Sequence, residues 1–187
     1  MRHIVLLTTL DSIERNYPTY IRCIVASLLL SHTIRRDTTL HLVLPREGFH
    51  VKFVGSKLRQ LRADEQSAGG LLRKVIRYLR ESAGYSSRTR QLHSGIYVRS
   101  LKGEVSIPQV IGSSSPATYI VVSDYKGARV NLRNVVRDVV VVIEALHNLL
   151  KLVRIPPNHV LWSVDSRTLP LDHIIVLVNT QLDRLGV

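Results

Sequence analysis

The sequence is short of cysteine, methionine, tryptophan and acidic residues, and these shortages narrow the kinds of protein that it can encode. Its 187 residues include one cysteine, one methionine and one tryptophan. The single thiol, Cys23, cannot form an internal disulfide, which is typical of proteins kept in a reducing cytoplasm. The cysteine and the eight histidines show no zinc-ligand spacing. We therefore expect a cytoplasmic protein without a metal site.

Long apolar runs and several well-known catalytic motifs are also missing. No window reaches the roughly 20 apolar residues that a membrane-spanning helix needs, and we expect no signal peptide because the first residues contain no cleavage site. The sequence has no Walker A loop, no Gly-x-Ser-x-Gly elbow and no Gly-x-Gly-x-x-Gly motif after a strand. These absences argue against a membrane protein, a P-loop enzyme and a hydrolase with a nucleophilic serine.

The chain has 26 basic and only 14 acidic residues, and the basic excess is concentrated in one part of it. Residues 31–102 carry a net charge of +10, whereas residues 1–30 and 103–187 each carry +1. Twenty of the basic residues are arginine, which can bind a phosphate or a carboxylate through two parallel hydrogen bonds. This distribution favours a nucleic-acid-binding surface. The alternative is a charged face that only keeps the protein in solution.

Length and hydropathy predict one domain and favour a dimer. A chain of 187 residues is long enough for one buried core, and we expect a single domain over residues 1–187. The composition is 45% hydrophobic, with a mean hydropathy of +0.09, although the net charge is +12. A protein that is both this apolar and this basic favours burial of apolar surface in a homodimer. The alternative is a large monomeric core.

Alternating helix and strand patterns predict an α/β protein. Apolar residues at helical spacing predict helices over residues 17–31, 64–82 and 169–185. Short apolar runs predict strands over residues 3–8, 38–44, 50–54, 95–99, 119–122 and 160–164. Strands that alternate with helices in this way predict a mostly parallel sheet that helices cover on both faces.

The segment 131–154 gives two conflicting signals. Its length and its many apolar residues predict one long helix, which would be buried, for example at the dimer interface. Its centre, residues 139–143, has five β-branched side chains in a row, a composition that suits a strand better. We predict the helix and keep the strand as the alternative.

Several short motifs follow one another in a recognisable order. They begin with SHTIRRD (31–37), VKFVGSK (51–57) and SGIYVR (94–99), and continue with YIVVSDYK (119–126) and LPLDH (169–173). No single motif is strongly diagnostic, but the ordered set touches most of the chain. In this order the motifs resemble those of the archaeal tRNA pseudouridine N1-methyltransferases of the SPOUT superfamily.

The resemblance implies a SPOUT-type fold, in which a mostly parallel sheet flanked by helices ends in a C-terminal trefoil knot, a rare exception among proteins. It also implies that S-adenosyl-L-methionine binds to the knot, in loops that follow the strands. The basic, RNA-facing part would comprise about residues 1–102 and the cofactor-binding knot about 103–187. The implied cofactor-binding residues are Val110, Ile111, Gly112, Val122, Ser123, Gly127, Trp162, Ser163, Val164, Leu169 and His173.

The implied reaction transfers a methyl group from S-adenosylmethionine to N1 of a pseudouridine, at position 54 of the tRNA T-loop. Asp124 would hydrogen-bond the base or accept its N1 proton, the alternative being that Asp124 caps the following turn. The phosphates of tRNA, or of another structured RNA, would be held by basic side chains of the first half. These side chains are Arg22, Arg35, Arg36, Lys52, Lys57, Arg59, Arg88 and Arg90.

Two other interpretations stay open. The family carries Arg-Leu-Asp at the start of its first helix, where this chain has Asn16, Tyr17 and Pro18. This difference favours a catalytically impaired, RNA-binding paralogue with the same fold. The second is a pseudouridine N1-methyltransferase that acts on ribosomal RNA.

Overall fold

The computed structural model describes residues 1–31, 33–62, 64–82, 88–112, 117–123, 138–164 and 169–186. Its strands are β1 (Arg2–Leu7), β2 (Leu29–Leu30), β3 (Thr33–Ile34), β4 (Thr38–Leu44), β5 (Phe49–Val54), β6 (Arg90–His93), β7 (Ile96–Ser100), β8 (Val105–Ser106), β9 (Ala117–Ser123), β10 (Asp138–Glu144), β11 (Val153–Arg154) and β12 (Val160–Ser163). Its helices are α1 (Leu10–Arg15), α2 (Tyr17–Leu28), α3 (Glu65–Glu81), α4 (Ile107–Ile111) and α5 (Leu171–Arg184).

Eight of the strands form one sheet in the order β12-β9-β10-β1-β4-β5-β7-β6. The first five are parallel to one another, and the last three add to β4 in an antiparallel manner. The predicted α/β fold, a mostly parallel sheet flanked by helices, is therefore confirmed. The sheet has a parallel end that contains β9, β10 and β12, and an antiparallel end that contains β5, β6 and β7.

The two faces of the sheet are covered differently. The first face packs against α1, α2, α3 and α5, whose apolar residues share one core with Ile4, Leu6 and Leu40. The second face is covered by α4 and by Leu149, which pack on Val5, Leu7 and Val142. Because side chains alternate along each strand, the continuous apolar runs of β1, β4 and β10 supply both cores.

Local sequence explains where the helices begin. The side chain of Thr9 accepts a hydrogen bond from the amide of Ser12 and caps α1, and Asp64 caps α3 by accepting from the amide of Ser67. Pro18 lies in the first turn of α2, where its missing N–H is tolerated. The predicted helix over 17–31 ends earlier, at Leu28, because Leu29 and Leu30 pair with β3.

The prediction of one helix over residues 131–154 is wrong. Residues 138–144 form the strand β10, which lies between β1 and β9 inside the sheet, and residues 131–137 lie outside the described part. The run of β-branched residues explains the result, because such side chains pack well on a pleated surface and fit poorly in a helix. Both faces of β10 are buried, as expected for a central parallel strand.

Candidate functional site

The carboxyl ends of the parallel strands lie side by side at one edge of the sheet. The strand registers place Ser163 of β12 beside Ser123 of β9, and Val122 beside Ile143 of β10. The amide of Ala145, just beyond β10, donates a hydrogen bond to the carbonyl of Leu7 in β1 at 2.9 Å. Crevices outside the carboxyl ends of parallel strands are the usual ligand sites of open α/β sheets.

Several predicted cofactor-binding residues lie at this edge. Val122 and Val164 are buried in the first core, and Trp162 and Leu169 pack against it. Ser163 ends β12. His173 is exposed in the first turn of α5. The remaining candidates of this region, Asp124 and Gly127, lie outside the described residues.

The predicted residues Val110, Ile111 and Gly112 form a separate group. They belong to the end of α4, on the second face of the sheet, and line a pocket over β5 and β7. Both of these strands lie beyond β1 from β9 and β12 in the strand order. The structure therefore divides the predicted cofactor-binding residues between two places, only one of which is the carboxyl edge.

Sequence reasoning missed the residues that follow β10. Glu144 ends that strand, and one of its carboxylate oxygens accepts a hydrogen bond from the amide of Leu150 at 2.9 Å, which closes the loop after the strand. Ala145 follows Glu144, and its small side chain packs against the first core. The signal that would have found these residues is the β-branched run 139–143, since a strand there has its carboxyl end at residue 144.

A second candidate region lies at the antiparallel end of the sheet, where two neighbouring pockets share Lys57 and Tyr97. One pocket, of about 290 Å³, also contains Lys52 and Arg99. The other, of about 420 Å³, also contains Arg36 and Arg59. Among the described residues that line the two pockets, none carries a carboxylate. We call the two pockets together the cationic groove.

Two glycines of the sequence motifs shape this groove. At Gly95 the backbone has a φ of +78°, and a Cβ there would lie 2.6 Å from the amide nitrogen of Leu58. At Gly55 a Cβ would lie 1.9 Å from the carbonyl oxygen of Arg35. The absent side chains let the backbone segments that carry Lys57 and Arg36 lie against the strands.

Several positively charged side chains lie close together in the groove, and they affect one another's ionisation. The ammonium group of Lys57 lies 5.7 Å from the centre of the Tyr97 ring, within the distance at which the face of an aromatic ring attracts a cation. Burial, and then the charges of Arg99 and Lys57, lower the pKa of Lys52. An anion that entered the groove would relieve this repulsion.

The other predicted RNA-binding residues lie elsewhere. Arg35 forms two hydrogen bonds with the carboxylate of Asp183 in α5, at 2.7 and 2.6 Å, and Arg22 bonds to Asp172 at 3.0 Å. In this arrangement both arginines connect the first half of the chain to α5. Arg90 places its guanidinium 5.2 Å from the centre of the Tyr78 ring, and Arg88 is exposed just before β6.

Across the described ranges, the structure contains no helix that is both long enough and apolar enough to cross a membrane. In the same ranges, no group of three histidine, cysteine, aspartate or glutamate side chains is placed to hold a metal ion.

Comparisons with known proteins identify relatives over most of the chain. Residues 19–187 match the family described as "Putative SAM-dependent RNA methyltransferase". A tRNA (pseudouridine(54)-N(1))-methyltransferase of Methanococcoides burtonii is 29% identical over 174 residues, which cover 87% of this chain and 80% of that protein. A protein of the same name from Methanocorpusculum labreanum is 27% identical over 180 residues, which cover 88% of this chain and 82% of the relative.

Two further proteins match different shares of this chain. The protein of this name from Haloferax volcanii is 34% identical over 99 residues, or 53% of this chain, and the match spans only about half of that protein (47%). The crystal structure of Archaeoglobus fulgidus Nep1 bound to S-adenosylhomocysteine is similar in fold, with a TM-score of 0.62 and 12% sequence identity. This similarity covers 99% of this chain and 98% of Nep1.

Proposed function

Since this chain belongs to the family of SAM-dependent RNA methyltransferases, we propose that it transfers a methyl group from S-adenosylmethionine to N1 of pseudouridine 54 in the tRNA T-loop. The observation that carries the proposal is the match to tRNA (pseudouridine(54)-N(1))-methyltransferases over 87–88% of the chain. The cationic groove supports an RNA substrate independently, because it concentrates positive charge without a neutralising carboxylate among its described lining residues.

We propose that the cofactor binds at the carboxyl edge of β9, β10 and β12. The ends of these strands are adjacent, and the amide of Ala145 ties the end of β10 to that of β1. S-adenosylmethionine would supply a methyl group that its sulfonium charge already activates. The protein would then have to align the acceptor nitrogen with this methyl group and help to remove the N1 proton. Asp124 remains our proposal for the second task.

We propose that residues 1–187 form a single SPOUT-type domain with a trefoil knot in the C-terminal half. The strand order β12-β9-β10-β1-β4 supports this proposal, because β10 and β12 lie on opposite sides of β9, so that the chain crosses β9 between them. An experimental structure that traces residues 119–185 tests it, and an unthreaded chain there would contradict it. A cytoplasmic location is proposed as well, on the strength of the lone, buried thiol of Cys23.

We propose a homodimer on the basis of apolar side chains that the C-terminal half exposes. In α5, Val176 and Leu177 are 49% and 41% exposed, and in the edge strand β12, Val160 and Leu161 are also exposed. A second copy of this chain would cover these side chains. Light scattering should give twice the monomer mass for the wild type and the monomer mass for Val176→Glu.

The central test combines calorimetry with methyl transfer. We expect titration with S-adenosylhomocysteine to show saturable binding, and a T-arm hairpin that carries pseudouridine 54 to gain one methyl group in mass spectrometry. The same hairpin with uridine at that position is the matched control, since uridine bears its glycosidic bond on N1. Absence of cofactor binding at millimolar ligand would contradict the proposal.

The first alternative, an RNA-binding paralogue without activity, draws on Asn16, Tyr17 and Pro18. In the structure these residues start α2, and the hydroxyl of Tyr17 donates to the carbonyl of Gly69 in α3 at 2.6 Å. They therefore serve helix packing at a place where the family carries charged residues. Salt-sensitive tRNA binding without methyl transfer would support this alternative. Methylation of a ribosomal RNA fragment but not of the T-arm hairpin would support the second alternative, a methyltransferase that acts on ribosomal RNA.

A further inference from the structure

A line of hydrogen-bonded side chains crosses four adjacent strands beneath the cationic groove. Nδ1 of His3 in β1 lies 3.0 Å from Nε2 of His41 in β4, and Nδ1 of His41 lies 2.9 Å from Nε2 of His50 in β5. The line ends at Arg99 in β7, whose Nε lies 3.1 Å from Nδ1 of His50. The three histidines are buried.

The chemistry of Arg99 fixes the direction of this line. A guanidinium Nε–H can only donate, so Nδ1 of His50 must accept. A neutral His50 then carries its proton on Nε2 and donates to His41, which by the same logic donates from Nε2 to His3. Burial lowers the pKa of His50 to about 3 and that of His3 to about 4, and lowers the pKa of His41 as well, so all three rings are neutral at pH 7.

Within the described part of the chain, the hydrogen bonds of Arg99 go to neutral acceptors. Besides His50, its terminal nitrogen Nη2 donates to the carbonyls of Gln109 and Val110 at 2.8 and 3.0 Å. These bonds fix the orientation of the guanidinium, whereas a carboxylate partner would also have cancelled its charge. The half-buried Arg99 therefore adds a full positive charge to the pocket that Lys52 and Lys57 also line.

We infer that this pocket binds a phosphodiester group of the RNA, with Arg99 and Lys52 as its ligands and His50, His41 and His3 as positioning residues for Arg99. The inference rests on the proposed function, which supplies an RNA, and goes beyond it by assigning a phosphate site. The pocket volume of about 290 Å³ lies at the small end of ligand pockets, which suits one nucleotide.

The neighbouring groups favour RNA over another anion. Tyr97 lines this pocket and the adjoining one, so that a base next to the bound phosphate could stack on its ring. Through Lys57 the pocket continues to Arg36 and Arg59, which would meet a second phosphate of the same strand. An acidic peptide would use the charges of the groove but would gain nothing from an aromatic ring.

The first experiment measures binding of a fluorescent, unstructured RNA 10-mer by anisotropy at several salt concentrations. We expect Lys52→Gln to weaken binding about tenfold at low salt and to reduce the salt slope by about 0.7, the value of one phosphate contact on a single strand. Arg99→Lys should weaken binding as well, because lysine keeps the charge and loses the fixed fork. Lys151→Gln, which removes an exposed charge far along the chain, is the matched control.

The second experiment tests the positioning role. In nitrogen NMR spectra of the wild type, we expect His3, His41 and His50 to be neutral with their protons on Nε2, and the Arg99 Nε–H signal to shift when the 10-mer is added. In His50→Phe, if its Tm stays close to that of the wild type, the Arg99 signal should exchange rapidly and RNA affinity should fall towards that of Arg99→Lys.

The outcomes separate this inference from the proposed function. If the wild type methylates the T-arm hairpin while Lys52→Gln and Arg99→Lys bind RNA like Lys151→Gln, the phosphate site is wrong and the proposed function stands. If the two variants lose RNA binding but the wild type transfers no methyl group, the phosphate site stands alone. Competition by uridine monophosphate as strong as that of the 10-mer would assign the pocket to a free nucleotide, and equal competition by hexaglutamate would assign it to acidic peptides. Either result would overturn the inference.

Discussion

The two ends of the sheet differ in how they use charge. At the parallel end, the centres of β9, β10 and β12 are apolar, and at their carboxyl ends lie Ser163 and Glu144, whose carboxylate accepts from the amide of Leu150. At the antiparallel end, β5 and β7 carry Lys52 and Arg99 above a line of neutral histidines. We propose a division of tasks, with the carboxyl ends of the parallel strands for the cofactor and the cationic groove for a polyanion.

The same contrast appears in how the two ends treat buried polar groups. Where the parallel end buries side chains, they are almost all apolar, and only the strand backbone needs partners. The line of His3, His41 and His50 runs from β1 through β4 to the antiparallel end at β5, and it buries imidazoles, which must stay neutral and must find hydrogen bonds. An arginine can keep its charge there because those neutral groups orient it. Stability should therefore respond to acid chiefly through the line of histidines that leads to the antiparallel end.

The largest effect that we predict is this acid response. The pKa values of His3 and His50 in the folded protein, about 4 and about 3, lie below the ordinary 6.5, as does that of His41, with burial as the main cause. Below pH 6.5 these histidines therefore bind protons in the unfolded chain but stay neutral in the folded protein. The free energy of unfolding should fall as the pH drops from 6.5 towards 4, by about 1.4 kcal/mol per pH unit for each histidine.

Urea unfolding between pH 8 and pH 4.5 measures this slope. In His50→Phe one titrating group is gone, so the slope below pH 6.5 should be shallower than in the wild type. A free energy of unfolding that stays constant between pH 6.5 and 5 would show that the histidines are charged in the folded protein, and it would remove the basis for the contrast between the two ends.

The second prediction concerns RNA affinity. Replacing Arg36, Lys57 and Arg59 together by glutamine should weaken binding of a T-arm hairpin by about 10²–10³-fold at 50 mM salt, since each phosphate contact contributes roughly tenfold under those conditions. Binding of S-adenosylhomocysteine should not change. A filter-binding series and calorimetry measure the two quantities.

The matched control for this variant removes three exposed charges from the other half of the chain, by replacing Lys151, Arg154 and Arg184 with glutamine. If both triple variants lost RNA affinity equally, net charge rather than the groove would determine binding.

The sequence predicted the family and the fold better than it predicted the contacts of individual residues. The resemblance to the pseudouridine N1-methyltransferases was confirmed by the family match over residues 19–187, and most strands and helices were found where hydrophobic periodicity placed them. SHTIRRD was interpreted as RNA-binding, and this role stays a prediction: in the structure Arg36 lines the cationic groove, whereas Arg35 pairs with Asp183, 148 residues away. Such a partner is set by tertiary packing and leaves no local pattern.

The line of histidines could not be predicted from the sequence for a similar reason. His3, His41, His50 and Arg99 belong to four strands that are adjacent only because β4 lies between β1 and β5. Period-two alternation places each of these side chains on one face of its own strand, but the register between strands decides whether they meet. Residues 139–143 were a different case, because their composition pointed to a strand and only the length of the apolar segment favoured a helix.

The third prediction concerns the contact between the two halves of the chain. Asp183 in α5 accepts from the buried Arg2 of β1 at 2.9 Å and from Arg35, and the hydrogen bonds from Arg35 are the main cause that lowers its pKa to about 2. Asp183→Asn would leave two arginines without their carboxylate. Because Asp183 is 38% exposed, we expect a loss of about 2–3 kcal/mol in the free energy of unfolding, below the 3–5 kcal/mol of a fully buried pair.

Urea unfolding at pH 7 measures this loss. Asp11→Asn is the matched control, because Asp11 pairs with Arg15 on an exposed helix surface and should cost less than about 0.5 kcal/mol. If the two variants were equally stable, the carboxylate of Asp183 would not hold α5 to the sheet.

The smallest effect that we predict is also the most selective for the parallel end. Ala145 follows β10 between the ends of β9 and β1, so a tryptophan there should fill part of the proposed cofactor crevice. We expect Ala145→Trp to weaken binding of S-adenosylhomocysteine at least tenfold in calorimetry, while affinity for the RNA 10-mer stays within about twofold of the wild type. The unchanged RNA affinity is the control for folding. If Ala145→Trp bound the cofactor normally and Gly112→Trp, at the end of α4, did not, the cofactor would lie beside the cationic groove. Both ligands would then share one surface, and the division between the two ends of the sheet would fail.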